Sequence, residues 1–84
     1  MKFYYITFRS VTHAQRGERA LAGHQIKSTL QRTPRWMEEQ GCGYCLKLWT
    51  QDVHRSVELL RNNRIPMRKV YVHIGDGQLE EITV

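Results

Sequence analysis

Four short stretches of this chain repeat their apolar residues at every second position. Two others repeat them at every third or fourth, and the two kinds are interleaved. This interleaving constrains the fold more than any other feature. A two-residue period gives a strand one buried face, whereas a three-to-four-residue period gives a helix one buried stripe. Lys2–Phe8 is rich in Phe, Tyr, Ile and Thr and reads as a strand, with Tyr4, Ile6 and Phe8 on one face and Phe3, Tyr5 and Thr7 on the other. Thr12-His13-Ala14-Gln15 has the form of a capping box, which predicts a helix from about His13 to Ala22 with Thr12 as its N-cap. Its thin stripe of Ala14, Gly17 and Leu21, with Ala20 nearby, allows close approach to a sheet, and Gly23 is a natural stop.

Ile26–Arg32 predicts a second strand, broken by Thr33-Pro34-Arg35, because proline removes a donor and biases the residue before it to extended geometry. Trp36–Gln40 suits a helical turn with Glu38 and Glu39 exposed. Tyr44–Trp49 predicts a third strand, with Tyr44, Leu46 and Leu48 facing one way and Cys45, Lys47 and Trp49 the other. Asp52 caps a second predicted helix, Val53 to about Asn62, striped by Val53, Val57 and Leu60. Met67–Ile74 predicts a fourth strand, and Gly75-Asp76-Gly77 is a hairpin signal. Gln78–Val84 returns as an edge strand on which Glu80 and Glu81 are suitably exposed.

The order β-α-β-β-α-β with a C-terminal hairpin strand predicts an α+β sandwich of the ferredoxin-like, split βαβ type. Both helices would cover one sheet face. The other face would be open, and its Phe3, Tyr5 and Trp49 suit a homodimer or a docked partner. The 84 residues form one predicted domain, 1–84, whose core buries only about 60–65% of the unfolded chain's surface.

Composition narrows the function classes. No apolar run reaches the roughly 20 residues of a membrane span. Met1-Lys2-Phe3-Tyr4-Tyr5-Ile6 runs at once into polar residues and Arg9, which is not the shape of a signal peptide. The expectation is therefore a cytoplasmic chain with no membrane partner. The net charge of +5 admits a nucleic-acid partner. The cations are scattered, however, with no run of five, which weighs against one.

The chemistry concentrates in Gly41-Cys42-Gly43-Tyr44-Cys45, which holds both cysteines of the chain. In a cytoplasmic chain such a pair points to metal, catalytic or redox use rather than to a structural bridge. Two cysteines three apart in one strand face opposite ways, so they converge only if Cys42 lies in the preceding loop, as Gly41 and Gly43 permit. A thioredoxin-type dithiol needs a helix after the motif, and Leu46-Lys47-Leu48-Trp49 is strand-like. A zinc site needs four ligands, and His13, His24, His54 and His73 show no ligand spacing near the pair, so no metal is expected in one chain.

The remaining chemistry is a single reactive thiol at Cys42, with Cys45 as a resolving thiol or a packed hydrophobe. Arg35, with Arg32 or Lys47 as further candidates, would stabilise the thiolate. Arg9 and Ser10 form a candidate anion-binding corner before the first helix, where an anionic persulfide or selenide would be favoured. His13 and His54, in first helical turns, read as surface residues.

Several motifs then carry a resemblance over most of the chain. These are Ile6-Thr7-Phe8-Arg9-Ser10 leading to Ala14 and Glu18-Arg19-Ala20-Leu21, then Thr33-Pro34-Arg35, then Cys42-Gly43 opening a strand. In these the chain resembles the Se/S carrier protein-like family of small bacterial domains. The resemblance implies a role in handling selenium or sulfur beside cysteine desulfurase-type or selenium-metabolism partners. It maps the key thiol to Cys42 and Pro34-Arg35 to the loop before it. The expected protein is a carrier rather than a free-standing enzyme. It would hold no permanent cofactor, only transient covalent sulfur or selenium passed to an acceptor. Two other readings stay open: a ferredoxin-like binding module for protein or nucleic acid, and a dithiol redox protein.

Overall fold

The computed structural model describes residues 3–33, 43–49, 52–74 and 78–82. Its elements are β1 (Phe3–Phe8), α1 (Val11–Ala22), β2 (Ser28–Arg32), β3 (Tyr44–Trp49), α2 (Val53–Asn62), β4 (Val70–His73) and β5 (Leu79–Ile82). The five strands form one sheet in the order β2-β3-β1-β4-β5, and every neighbouring pair is antiparallel. The α+β expectation holds. Each helix joins two strands that run parallel with one antiparallel strand between them: β3 lies between β1 and β2, and β1 between β3 and β4. Neither described helix is long and apolar enough to cross a membrane.

Both helices pack on the face that carries Ile6, Phe8, Leu46, Leu48 and Val70, as the two-residue period requires. Ala14 and Leu21 meet them from α1, and Val53, Val57 and Leu60 from α2. Gly17 is where the layers come closest. A Cβ there would stand 3.2 Å from side-chain atoms of Leu46, Leu60 and Phe8 alike. A side chain at this point of the α1 stripe would push against both the helix–sheet and the helix–helix contact, and the three neighbours would have to give by a few tenths of an ångström.

The start of α1 corrects the sequence expectation. Ser10, not Thr12, is the N-cap; its backbone is extended (φ −131°, ψ 155°), and its hydroxyl oxygen accepts from the His13 N–H at 3.2 Å. Both residue types are good caps. The chain leaves the sheet at Phe8, and Ser10 is the first of the two it reaches. Asp52 does precede α2 as expected, without a side-chain capping bond.

The helix ends share one device. Gln25 N–H donates to Ala22 O (3.0 Å) and Ile26 N–H to Leu21 O (2.9 Å), while Arg64 N–H donates to Arg61 O and Ile65 N–H to Leu60 O (both 3.0 Å). These are paired Schellman bonds, with the left-handed position at Gln25 (φ 63°) and Arg64 (φ 56°). Each places an isoleucine, Ile26 or Ile65, back on the core leucine it bonds. Gly23 keeps a right-handed φ of −63°, so the reversal comes two residues after the expected stop. Ile26 consequently belongs to the helix stop, and β2 begins only at Ser28.

β4 is also shorter than the expected Met67–Ile74. Arg68 N–H donates to Thr7 O (2.8 Å) and Thr7 N–H to Lys69 O (2.8 Å), so two residues face one, in the manner of a β-bulge. The Thr7 hydroxyl repairs the ladder. It accepts from Lys69 N–H at 3.0 Å and donates to Lys69 O at 3.3 Å. At the other edge of β4, β5 pairs Ile82 with Val70 and Leu79 with His73, and Glu80 and Glu81 are exposed as expected. The hairpin signal at residues 75–77 lies outside the described residues.

Candidate functional site

Cys45 sits on the sheet face away from the helices, opposite Thr7 on β1 and Gln31 on β2. It is a free thiol with 0% exposure. Burial pushes its pKa up, and hydrogen bonding with Thr33 and Gln31 offsets the rise only in part. The Thr33 hydroxyl is itself buried and meets no partner in hydrogen-bonding geometry, so its share of that offset is small. Tyr5, on the same face, is also raised above its ordinary range, by burial first and then by the nearby Cys45. Cys45 is thus held as a neutral thiol in the sheet. Its nucleophilic form requires either an open sheet or a base supplied from elsewhere.

Cys42 and Arg35 lie outside the described residues, as do Pro34, the expected turn Trp36–Gln40, and Gly41. Gly43, the residue bonded to Cys42, is described. Thr33 N–H donates to Gly43 O at 3.0 Å, which carries the β2–β3 ladder one step past Tyr44. A Cβ on Gly43 would come within 2.9 Å of Phe8 O, closer than real Cβ contacts allow. Its φ is not left-handed. The glycine therefore serves close approach to the end of β1.

The anion corner stands at this same end of the sheet, across β1. Arg9 is exposed and follows directly on Phe8, and the Ser10 hydroxyl is engaged in capping α1. A cavity of about 130 Å³ opens beside the helix start, lined by Arg9, His13, Pro66, Met67 and Arg68. His13, expected at the surface, is partly buried, and its Nδ1 is buried without a hydrogen-bond partner. His54 is exposed as expected. The other two cations considered for the thiolate are among the described residues. Arg32 shares the alternate face with Leu30, opposite to Gln31 and Cys45. Lys47 is held at the far end of the face, its Nζ 4.1 Å from the Phe3 ring centroid. Phe3 and Phe8 are separated by about 16 Å of strand.

Sequence reasoning missed Thr7, Gln31 and Thr33 as the surroundings of Cys45, and His13 and Arg68 beside Arg9. Alternation does place Thr7 and Cys45 on like faces. Their pairing depends on register, for which the residues carry no separate signal. Among the described residues no group of three or more His, Cys, Asp or Glu is arranged to hold a metal ion.

Phe3, Tyr5 and Trp49 do share the face away from the helices. The Phe3 and Trp49 rings lie 4.1 Å apart, tilted at 46°, and His73 meets Phe3 edge-on at 6.2 Å. Trp49 is 50% exposed.

Neither a curated protein nor a solved structure matches the chain significantly. The profile of the family described as "Putative Se/S carrier protein-like" matches residues 3–72, from the start of β1 into β4. That span takes in both helices, four strands, the cysteine window and the corner at Arg9 and Ser10, and leaves out β5. The chain therefore belongs to the Se/S carrier protein-like family.

Proposed function

We propose that this chain is a small cytoplasmic carrier that holds sulfur or selenium covalently on Cys42 and passes it to an acceptor. The family match over residues 3–72 is the observation that carries this reading. The setting of Gly43 supports it. The residue bonded to Cys42 is fixed against Phe8 O, at the sheet end where Arg9, Ser10 and the cation-lined cavity stand. An anionic donor group would be attracted there by the cations and by the start of α1. The strand order, with each helix crossing over one intervening strand, supports the finer ferredoxin-like description.

In the loading step the Cys42 thiolate attacks the terminal sulfur of a donor persulfide. The new S–S bond forms on Cys42, the donor's own S–S bond breaks, and the donor leaves as a thiolate. Arg35 favours the attacking thiolate. Discharge follows by either of two routes. An acceptor nucleophile takes the terminal atom and regenerates the Cys42 thiolate. Alternatively, Cys45 attacks the inner sulfur, releasing hydrosulfide and leaving a Cys42–Cys45 disulfide. The second route needs Cys45 unburied and deprotonated, so it is slow in the closed sheet. A cysteine desulfurase-type enzyme is the proposed donor. Selenium follows the same steps, with selenium as the terminal atom.

Mass spectrometry after incubation with a cysteine desulfurase and cysteine, or with a selenium-releasing lyase and selenocysteine, tests the reading. The expected result is one added sulfur or selenium atom, present in Cys45→Ser and lost in Cys42→Ser. An unmodified chain under both donors would sink it. A Cys42–Cys45 disulfide formed without any prior adduct would favour the dithiol redox reading.

A further inference from the structure

The sheet face away from the helices carries a second feature, independent of Cys42. On the three central strands the register sets Trp49, Phe3 and His73 side by side in one row. Lys47, Tyr5 and Tyr71 form the next. Every position of these two rows is an aromatic, an imidazole or a lysine. Trp49 is half exposed at the rim. From this rim a groove of about 750 Å³ runs around the β2 edge. Lys47, Lys27 and Arg19 line it with a single acid, Glu18. Lys27 and Arg19 are exposed.

We infer that this surface binds single-stranded nucleic acid, with a base stacking on the half-exposed Trp49, which Phe3 backs, and the phosphate backbone following Lys47, Lys27 and Arg19. Two requirements of such binding meet here. Aromatic side chains on the middle strands of a sheet stack unpaired bases without regard to sequence, and a track of cations neutralises the adjacent phosphates. A buried core partner would need neither the lysine within the aromatic rows nor the cationic groove. The scattered cations of the sequence weighed against a nucleic-acid partner. Folding gathers three of them along the groove that Trp49 lines, and this juxtaposition makes the case.

The test is fluorescence anisotropy with labelled single strands of about eight nucleotides, a length within the site sizes of sheet-based binders. An RNA, a DNA of the same sequence and the corresponding duplex are compared. The single strands are expected to bind more tightly than the duplex. Trp49→Ala, at a half-exposed position and with its fold checked by circular dichroism, is expected to weaken binding about 5- to 100-fold. Three phosphate contacts predict a slope of about −2 in log affinity against log salt, and Lys27→Gln is expected to reduce its magnitude by about 0.7. Binding of either strand with these signatures supports the surface, and the tighter of the two identifies the sugar. Equal affinity for the duplex, or affinity unchanged by Trp49→Ala, overturns it. A dimer that Trp49→Ala breaks, with no strand binding, overturns it in favour of self-association.

Discussion

Thr7 shows how one side chain can decide where an element begins. Its hydroxyl supplies the acceptor that the bulge at Arg68 and Lys69 takes from the ladder, and it does so from a side chain only 1% exposed. Thr7→Val keeps the shape and removes the acceptor, leaving the Lys69 N–H unpaired. We expect a loss of about 1–3 kcal/mol in urea denaturation, with Thr7→Ser recovering most of it. Beside it, Cys45 gives the protein an alkaline weakness. The folded chain holds the thiol proton to higher pH than the unfolded chain does. The contribution is therefore full below about pH 8.5, the ordinary thiol value, and is lost as pH rises through the elevated folded value. Tyr5 acts in the same direction from about pH 10. Melting temperatures between pH 7 and 10.5 should fall above this threshold, and Cys45→Ala should flatten the first part of the fall. An identical profile in the variant would contradict the assignment.

Among the elements, those bounded by strong breakers were legible in sequence and those bounded by tertiary bonds were not. β3 was readable to the residue because Gly43 precedes its alternation and Asp52 follows it. The stripes Ala14–Gly17–Leu21 and Val53–Val57–Leu60 were readable because helical period and burial agree. The start of β4 depends on a hydroxyl 62 residues away, and the start of α1 on where β1 releases the chain. The site was legible in the same uneven way. Cys45 was placed on its correct face by parity, whereas its burial under a raised pKa follows from neighbours that only the register supplies. The helix stops make a further prediction. Gln25 and Arg64 occupy left-handed backbone, where side chains other than glycine are strained. Gln25→Gly and Arg64→Gly should each stabilise the chain by about 0.5–1 kcal/mol, the relief of strain exceeding glycine's entropic disadvantage. A lower denaturation midpoint in both would show that their side chains contribute more than the backbone strain removes.

At the level of the whole molecule, the sheet order gives the first half of the chain no strand pairing of its own and the second half only the β4–β5 ladder. β1 and β2 meet only through β3, and β3 and β4 only through β1. The first strand–helix–strand unit therefore has no ladder of its own until the second is in place. Unfolding should be all-or-none, with circular dichroism and amide exchange in β1 and β3 reporting one free energy. A β1 that exchanges well before β3 would show that the halves separate.

The burial of Cys45 gives the thiol a second meaning, as a clock. A reagent that modifies cysteine reaches this sulfur only when the packing around it opens. In a chain whose other cysteine has been replaced, its labelling rate counts those openings, whatever chemistry Cys42 performs in the unaltered chain.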